Sequence, residues 1–127
     1  IEHEMSGEWD IPHGVGLAIL MPVWMRYVMQ DLLPSFVKFA VNVFNIPLDM
    51  EHMERTAQAG INAYAAFLFD VLGLPKTLTE LGVPPEKTTD PILRKVAHQV
   101  FYKGNKTCGR TRPLDEDDVY HILKQCV

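Results

Sequence analysis

Two histidines near the beginning of the sequence, His3 and His13, are the side chains best placed to do chemistry. The stretch from Gly7 to Pro12 lies between them and predicts a turn that joins two helices. His13 is then expected in a first helical turn, where the helix dipole disfavours imidazolium and keeps the ring neutral, as a metal ligand must be. Gly14 and Gly16 carry no side chain, so a bulky group has room to approach the backbone.

These two histidines do not make a complete metal site by themselves. A catalytic site of the zinc type has about three protein ligands, and the sequence offers no clear third. Glu2 and Glu4 flank His3, but on a helix they are expected to point away from it. Asp10 is better interpreted as the cap of the following helix. Spacing alone therefore also favours a second interpretation, in which each histidine is only structural.

Composition narrows the class of protein. The 127 residues fit one domain, and 12 basic against 16 acidic side chains give a net charge of −4, which argues against nucleic acid as a partner. Cys108 and Cys126 are too few for a disulfide framework, which predicts reduced thiols and a cytoplasmic location. The most apolar run, Val15–Met25, is too short to cross a membrane and predicts a core helix.

Apolar residues recur at steps of three and four along most of the chain, which predicts an all-α helical bundle. Asp49 is expected to cap the longest of these helices and Gly73 to end it. Four acidic residues from Asp115 to Asp118 predict the start of the last helix, where the dipole favours negative charge. The predicted helices span Val15–Leu33, Pro34–Phe44, Met50–Leu72, Thr77–Leu81 and Asp90–Tyr102, with loops at Pro84–Thr89 and Lys103–Pro113.

The stretch HEMSGEWDIPHGVGLAILMPVWMRYV resembles a segment of the iron-containing alcohol dehydrogenases, specifically their butanol-dehydrogenase-like and often NADPH-dependent branch. The stretches FAVNVFNI, GLPKTLTELGV and RPLDEDDVYHIL are similar to that branch as well, so the resemblance covers essentially the whole chain. In the family this segment opens the helical C-terminal domain. The resemblance implies that residues 1–127 form a single helical metal-binding domain, the C-terminal part of a longer enzyme.

The resemblance also implies roles for the two histidines. The family pattern is His-x-x-x-His, nine residues, then His-Gly, and His13 matches its second metal-binding histidine. His3 matches the middle histidine, which lies near the nicotinamide and the substrate, so a catalytic role as a proton relay is expected for it. The first histidine falls two positions upstream of Ile1. The implied metal is Fe²⁺, or another divalent ion such as Zn²⁺, and its remaining ligands are expected upstream.

The implied reaction is NAD(P)-linked oxidation of a primary alcohol such as butanol, or reduction of the aldehyde. NADP or NAD is expected to bind mainly to a preceding dinucleotide-binding domain, so residues 1–127 alone are expected to be inactive. A homodimer of the full enzyme is a further expectation. The Val15–Tyr27 helix and the Lys103–Pro113 loop are expected to line the substrate pocket, and Trp9 to cover the site.

Two alternatives stay open at this point. One is a stand-alone helical binding module without catalysis. The other is a different member of the wider superfamily, such as a glycerol dehydrogenase or a dehydroquinate-synthase-like lyase. A glycine-rich dinucleotide loop and an Asp-x-x-x-His pair upstream would favour the alcohol dehydrogenase.

Overall fold

The structure is a computed structural model that describes residues 1–101 and 104–127, and these residues are helical almost throughout. Their one β-type pairing is an isolated antiparallel bridge between Cys108 and Leu114. The all-α prediction is therefore confirmed. The α-helices are α1 (Glu2–Trp9), α2 (His13–Val28), α3 (Leu33–Phe44), α4 (Met53–Ala66), α5 (Leu78–Leu81), α6 (Asp90–Gln99) and α7 (Glu116–Lys124), with a π-helical turn at Phe67–Val71 and a 3₁₀ turn at Pro85–Lys87.

A single apolar core joins helices from both ends of the chain. Met5 of α1, Ile19 of α2 and Ile61 of α4 are fully enclosed, as are Leu93 of α6 and Ile122 of α7. Burying an aliphatic side chain of this size contributes about 1.5–3 kcal/mol each. The N-terminal helix is thus anchored on the helices near the C-terminus, which fixes the position of the histidines that it carries.

Helices α3 and α4 pack against each other at very short range. A Cβ atom built on Gly60 would lie 2.6 Å from Cα of Ala40, and Ala40 itself is completely buried. Small residues at a crossing allow two backbones to approach closely, because no side chain stands between them. Gly60 is therefore required by packing rather than by backbone conformation.

The predicted helix Val15–Leu33 is too long at its C-terminal end. Helix α2 ends at Val28, and a turn through Met29–Leu32 separates it from α3. Met29 is nevertheless buried in the core. Apolar periodicity does not reveal a change of helix axis when the turn itself packs against the core.

The predicted helix Met50–Leu72 also differs from the structure, and Asp49 does not cap it. Asp49 Oδ1 accepts hydrogen bonds from the backbone N–H groups of Glu51 and His52 (3.0 and 2.9 Å), which places these residues in a turn ahead of the helix. Helix α4 begins at Met53, with His52 at the N-cap position. After Ala66 the chain continues as the π-helical turn Phe67–Val71, and the φ of Gly73 is +68°.

Other local predictions are confirmed. Thr77 accepts a hydrogen bond from the backbone N–H of Glu80 (3.1 Å) at the start of α5. Asp115 and Asp118 form a reciprocal capping box at the start of α7. Helix α6 begins at Asp90 with Pro91 in its first turn. It ends at Gln99, so its predicted end at Tyr102 is too late. Tyr102 itself, and Lys103, where the following loop is predicted to begin, lie outside the described residues.

Within the described part of the chain, no helix combines the length and the apolar character needed to cross a bilayer. Both cysteines are free. Cys126 is fully enclosed by the core, and burial raises the pKa of its thiol to about 12. Cys108 is half-buried, and burial also raises the pKa of its thiol.

Candidate metal centre

The turn between α1 and α2 brings the two N-terminal histidines together. The rings of His3 and His13 are stacked, with their centroids 5.2 Å apart and an angle of 26° between their planes. Asp10 ends α1 in the left-handed conformation with φ 51°, which Asp tolerates better than most residues. The prediction that Asp10 caps α2 is therefore wrong, because Pro12 occupies the N-cap position. His13 is the first residue of α2, as its expected role requires.

Glu2 also belongs to this cluster, and the expectation that it points away is wrong. One potential ligand atom from each of Glu2, His3 and His13 lies within 4.8 Å of the others. The side chain of Glu2 is only 5% exposed, and Oε2 contacts Nδ1 of His13. Adjacent residues do diverge on a helix, but α1 packs against α2 so that both residues contact His13. Glu2 contacts Nδ1 of the His13 ring, and the ring of His3 stacks on it. For Glu4 the structure gives no place in the cluster.

A sequence signal for Glu2 was present. Glu2, Met5 and Trp9 are spaced by three and four residues, and all three are buried on the same face of α1. That spacing places Glu2 on the face toward α2. A glutamate on an apolar helical face requires a partner, and His13 is that partner.

Gly16 makes room for the Glu2 carboxylate. A Cβ atom on Gly16 would overlap Oε1 of Glu2, whereas a Cβ atom on Gly14 would meet nothing within 4 Å. Gly16 lies three residues after His13, on the same side of α2. A bulky group was expected to approach the backbone at Gly14 and Gly16. At Gly16 that group is the carboxylate of Glu2.

The histidines line an open cavity of about 380 Å³ between α1 and one face of α2. Helix α2 contributes apolar side chains to this lining, and the expectation that it lines the substrate pocket stays a prediction. The predicted loop contributes to a neighbouring cavity of about 240 Å³, which contains Cys108 and shares Ile1 and Trp24 with the first. Apart from Glu2 and the histidines, the lining of the first cavity is apolar and consists of Ile1, Leu17, Leu20, Met21 and Trp24.

The other candidate residues lie away from the histidine pair. Trp9 does not cover the histidines, because it is buried and its indole N–H donates to the backbone oxygen of Lys87 (2.8 Å). His98 is exposed and its Nδ1 lies 2.9 Å from Oε2 of Glu116. His52 lies beside Asp49, the two separated by 3.4 Å between Nδ1 and Oδ2. None of these adds a ligand to the cluster.

A polar network joins α2 to α7. The hydroxyl of Tyr27 donates to Oδ1 of Asp118 (2.7 Å), and Arg112 pairs with Asp118 and with Asp31. Burial and this hydrogen bond raise the pKa of Tyr27 to about 12. Burial alone would raise the pKa of Asp118, but hydrogen bonds from Arg112 and Tyr27 outweigh it and hold that pKa below its ordinary value. The carboxylates likewise raise the pKa of Arg112, which keeps it charged.

The donor set fits a divalent metal such as iron or zinc. Imidazole nitrogen suits both ions, and a carboxylate at short range is acceptable as a ligand or as the partner of a ligating histidine. Two of the three groups are exposed to an open cavity, so further ligands have space to converge there. The cluster thus has the chemistry of one side of a metal site, and the described residues supply no additional clustered ligand.

The chain is similar to known proteins over its whole length. Residues 1–127 match the model of the C-terminal region of the Fe-containing alcohol dehydrogenase family. The NADH-dependent butanol dehydrogenase A of Clostridium acetobutylicum is 37% identical over 126 residues, and a probable NADH-dependent butanol dehydrogenase of Bacillus subtilis is 33% identical over 127. The crystal structure of an NADH-dependent butanol dehydrogenase A from Thermotoga maritima superposes with a TM-score of 0.82 at 34% identity and covers 98% of this chain.

The chain covers 31% of the length of the Clostridium acetobutylicum and Thermotoga maritima proteins, and 30% of the Bacillus subtilis protein. The helical architecture, the family match and these relatives agree with one another and with the resemblance seen in the sequence. The chain therefore belongs to the Fe-containing alcohol dehydrogenase family, as its C-terminal domain.

Proposed function

We propose that this chain is the metal-binding domain of an NAD(P)-linked dehydrogenase that oxidises primary alcohols such as butanol, or reduces the corresponding aldehydes. The observation that carries the proposal is the convergence of His3, His13 and Glu2 on an open apolar cavity, in a chain of this family. The relatives named as butanol dehydrogenases are 33–38% identical, against 27% for the 1,3-propanediol dehydrogenase of Citrobacter freundii, which supports a butanol-like substrate.

His13 is proposed to hold the metal through one neutral ring nitrogen. The metal, Fe²⁺ or another divalent ion such as Zn²⁺, supplies Lewis-acid polarisation of the substrate oxygen when it is bound. His3 is proposed to relay the proton of the alcohol hydroxyl to solvent. Its ring is exposed and stacked on His13, so it reaches the same space without having to ligate the metal.

The apolar lining of the cavity is proposed to bind the alkyl chain of the substrate. Leu20 is buried, Met21 and Trp24 are half-buried, and together they form an apolar wall beside the histidines. Burying the methylene groups of an alcohol against such a wall contributes about 0.8 kcal/mol per CH₂ group. This favours a primary alcohol with several carbons over a polyol, whose extra hydroxyls would lose their water.

The other metal ligands and the dinucleotide site are proposed to lie in a preceding domain. The relatives are named for NADH, and a preference for NADPH stays a prediction. Under this proposal residues 1–127 have the fold of the metal-binding domain and no dehydrogenase activity alone.

The test compares residues 1–127 with the full-length protein in which this domain follows a dinucleotide-binding domain. We expect the full-length protein to oxidise 1-butanol with NAD⁺ or NADP⁺, to lose activity after chelation, and to regain it with Fe²⁺ or Zn²⁺. Residues 1–127 should show no turnover. Turnover by residues 1–127 alone, or full-length activity that withstands complete removal of the metal, would refute the proposal.

A further inference from the structure

We propose that Glu2 is a positioning residue for His13. Its buried carboxylate accepts a hydrogen bond from Nδ1–H of His13, which fixes the ring and leaves Nε2 with the lone pair. The identity of what Nε2 binds rests on the proposed function. The hydrogen bond from His13 to Glu2 does not depend on that function.

The burial of Glu2 is the first support. The side chain is 5% exposed, whereas that of His13 is 57% exposed. A buried carboxylate is costly unless hydrogen bonds replace its water. Oε1 accepts a hydrogen bond from the hydroxyl of Ser6. Oε2 contacts Nδ1 of His13 and makes no regular hydrogen bond within residues 1–101 and 104–127. The interaction with His13 is thus the one that remains to satisfy this oxygen.

The position of Glu2 in the fold is the second support. It lies on the buried face of α1 together with Met5 and Trp9. On the other side, Gly16 of α2 leaves the space that Oε1 occupies, and any larger residue there would displace the carboxylate. Two helices and a glycine therefore shape a pocket that fits this carboxylate.

The chemistry of donors and acceptors determines which ring nitrogen of His13 carries the proton. An ionised carboxylate only accepts hydrogen bonds, so Nδ1 of His13 must carry the proton. In a neutral ring the other nitrogen, Nε2, is then unprotonated and free to ligate. Histidines that bind metals regularly donate their second N–H to a carboxylate, and loss of that partner weakens metal binding about 10–100-fold.

A direct ligand role for Glu2 is less well supported. Both of its oxygens already have neighbours, Ser6 and His13, and the side chain contributes almost no exposed surface to the cavity. The two roles differ in what glutamine does at this position. The amide oxygen of Gln still accepts from Nδ1–H, but a neutral amide is a poor substitute for a carboxylate ligand.

The first measurement needs no metal. We would record ring ¹H–¹⁵N correlation spectra of ¹⁵N-labelled residues 1–127 at alkaline pH, where neutral imidazole is observed, and assign His13 by its loss in His13→Ala. We expect the Nδ1–H tautomer for His13 in the wild type and in Glu2→Gln, and a shift toward Nε2–H in Glu2→Leu. An Nε2–H tautomer in the wild type, or no change in a folded Glu2→Leu variant, would overturn the proposal.

The second measurement is the dissociation constant of Zn²⁺ in the full-length protein. We expect Glu2→Leu to weaken binding about 10–100-fold and Glu2→Gln by less than about tenfold. Gly16→Ala should weaken binding in the same direction as Glu2→Leu, because it displaces the carboxylate. Its matched control, Gly14→Ala, has open space for the added methyl group and should bind as the wild type does. Equal losses in Glu2→Gln and Glu2→Leu would show that Glu2 is a ligand and overturn the positioning role.

The two measurements separate the two claims. If His13→Ala retained its metal while the wild-type tautomer were Nδ1–H, the proposed function of His13 would fail and the hold of Glu2 would stand. If instead His13→Ala lost its metal while the wild-type tautomer were Nε2–H, His13 would stand as a ligand and Glu2 would not be its positioning residue. Glu4→Leu on the same helix is the control for general effects on α1, and it should change neither the His13 tautomer nor the Zn²⁺ dissociation constant.

Discussion

The imidazole rings of His3 and His13 lie face to face, 5.2 Å between centroids, although ten positions separate them in the sequence. The left-handed Asp10 and the extended Pro12 turn the chain between α1 and α2 so that both rings reach one cavity. Neutral rings can accept a metal or a proton, and the predictions below depend on a division of those two roles.

His3→Ala is expected to slow the full-length enzyme without removing its metal. A positioned general acid or base contributes about 10²–10⁴-fold to the rate, and loss of the His3 ring should lower kcat for 1-butanol within that range. The measurement is steady-state turnover together with metal content by mass spectrometry. Loss of metal in this variant would mean that His3 is a ligand, and an unchanged rate would mean that it is a bystander.

Gly60→Ala is expected to destabilise the chain by about 1–3 kcal/mol, because its methyl group would overlap Ala40 where α3 crosses α4. Urea unfolding followed by circular dichroism measures the change. The control is Gly7→Ala in α1, where the added methyl group meets nothing within 4 Å. That substitution should stabilise the chain by up to about 1 kcal/mol, as Ala does in a helix. Equal effects of the two substitutions would contradict the close approach of α3 and α4.

The Tyr27–Asp118 hydrogen bond predicts a stability change at alkaline pH. The pKa of Tyr27 is about 12 in the folded chain, against the ordinary value of 10.0. A raised folded-state pKa gives stability that is complete below pH 10 and is lost as the pH rises through 12. Tyr27→Phe lacks this contribution and should cost about 1 kcal/mol at neutral pH. Unfolding free energies of the two proteins should therefore converge between pH 10 and 12, and parallel curves would refute the assignment.

The two thiols are expected to differ in reactivity. Cys126 is 0% exposed and its thiol pKa is raised to about 12, so it should react with a thiol reagent only after unfolding. Cys108 is half-buried and also has a raised pKa, so it should react slowly in the native chain. Labelling kinetics of Cys108→Ser and Cys126→Ser distinguish the two sites. Equal native rates for both cysteines would contradict the enclosure of Cys126.

Elements with strong local signals were predictable from the sequence. The capping box of Asp115 and Asp118, and Thr77 at the start of α5, depend on residues three positions apart, so the sequence contains the whole signal. The start of α4 was missed because the Asp49 side chain satisfies backbone N–H groups of a turn instead of those of a helix. A capping residue and a turn residue have the same chemistry, and only the tertiary structure decides between them.

The sequence predicts part of the candidate metal centre. Type and spacing single out His3 and His13, the family resemblance implies their roles, and the structure brings the two rings together. Glu2 was missed because its partner lies on another helix, and neighbour rules within α1 do not describe packing between α1 and α2. The spacing of Glu2, Met5 and Trp9 was the usable signal, since it places an acidic side chain among buried apolar ones.

The metal content of the full-length His13→Ala variant tests the central claim most directly, with His3→Ala and His52→Ala purified in parallel. We predict that His13→Ala loses its metal, because one neutral nitrogen ligand is removed, while His3→Ala and His52→Ala keep the wild-type stoichiometry. A full complement of metal in a folded His13→Ala variant would contradict the assignment of this residue as a metal ligand and with it the proposed role of the domain.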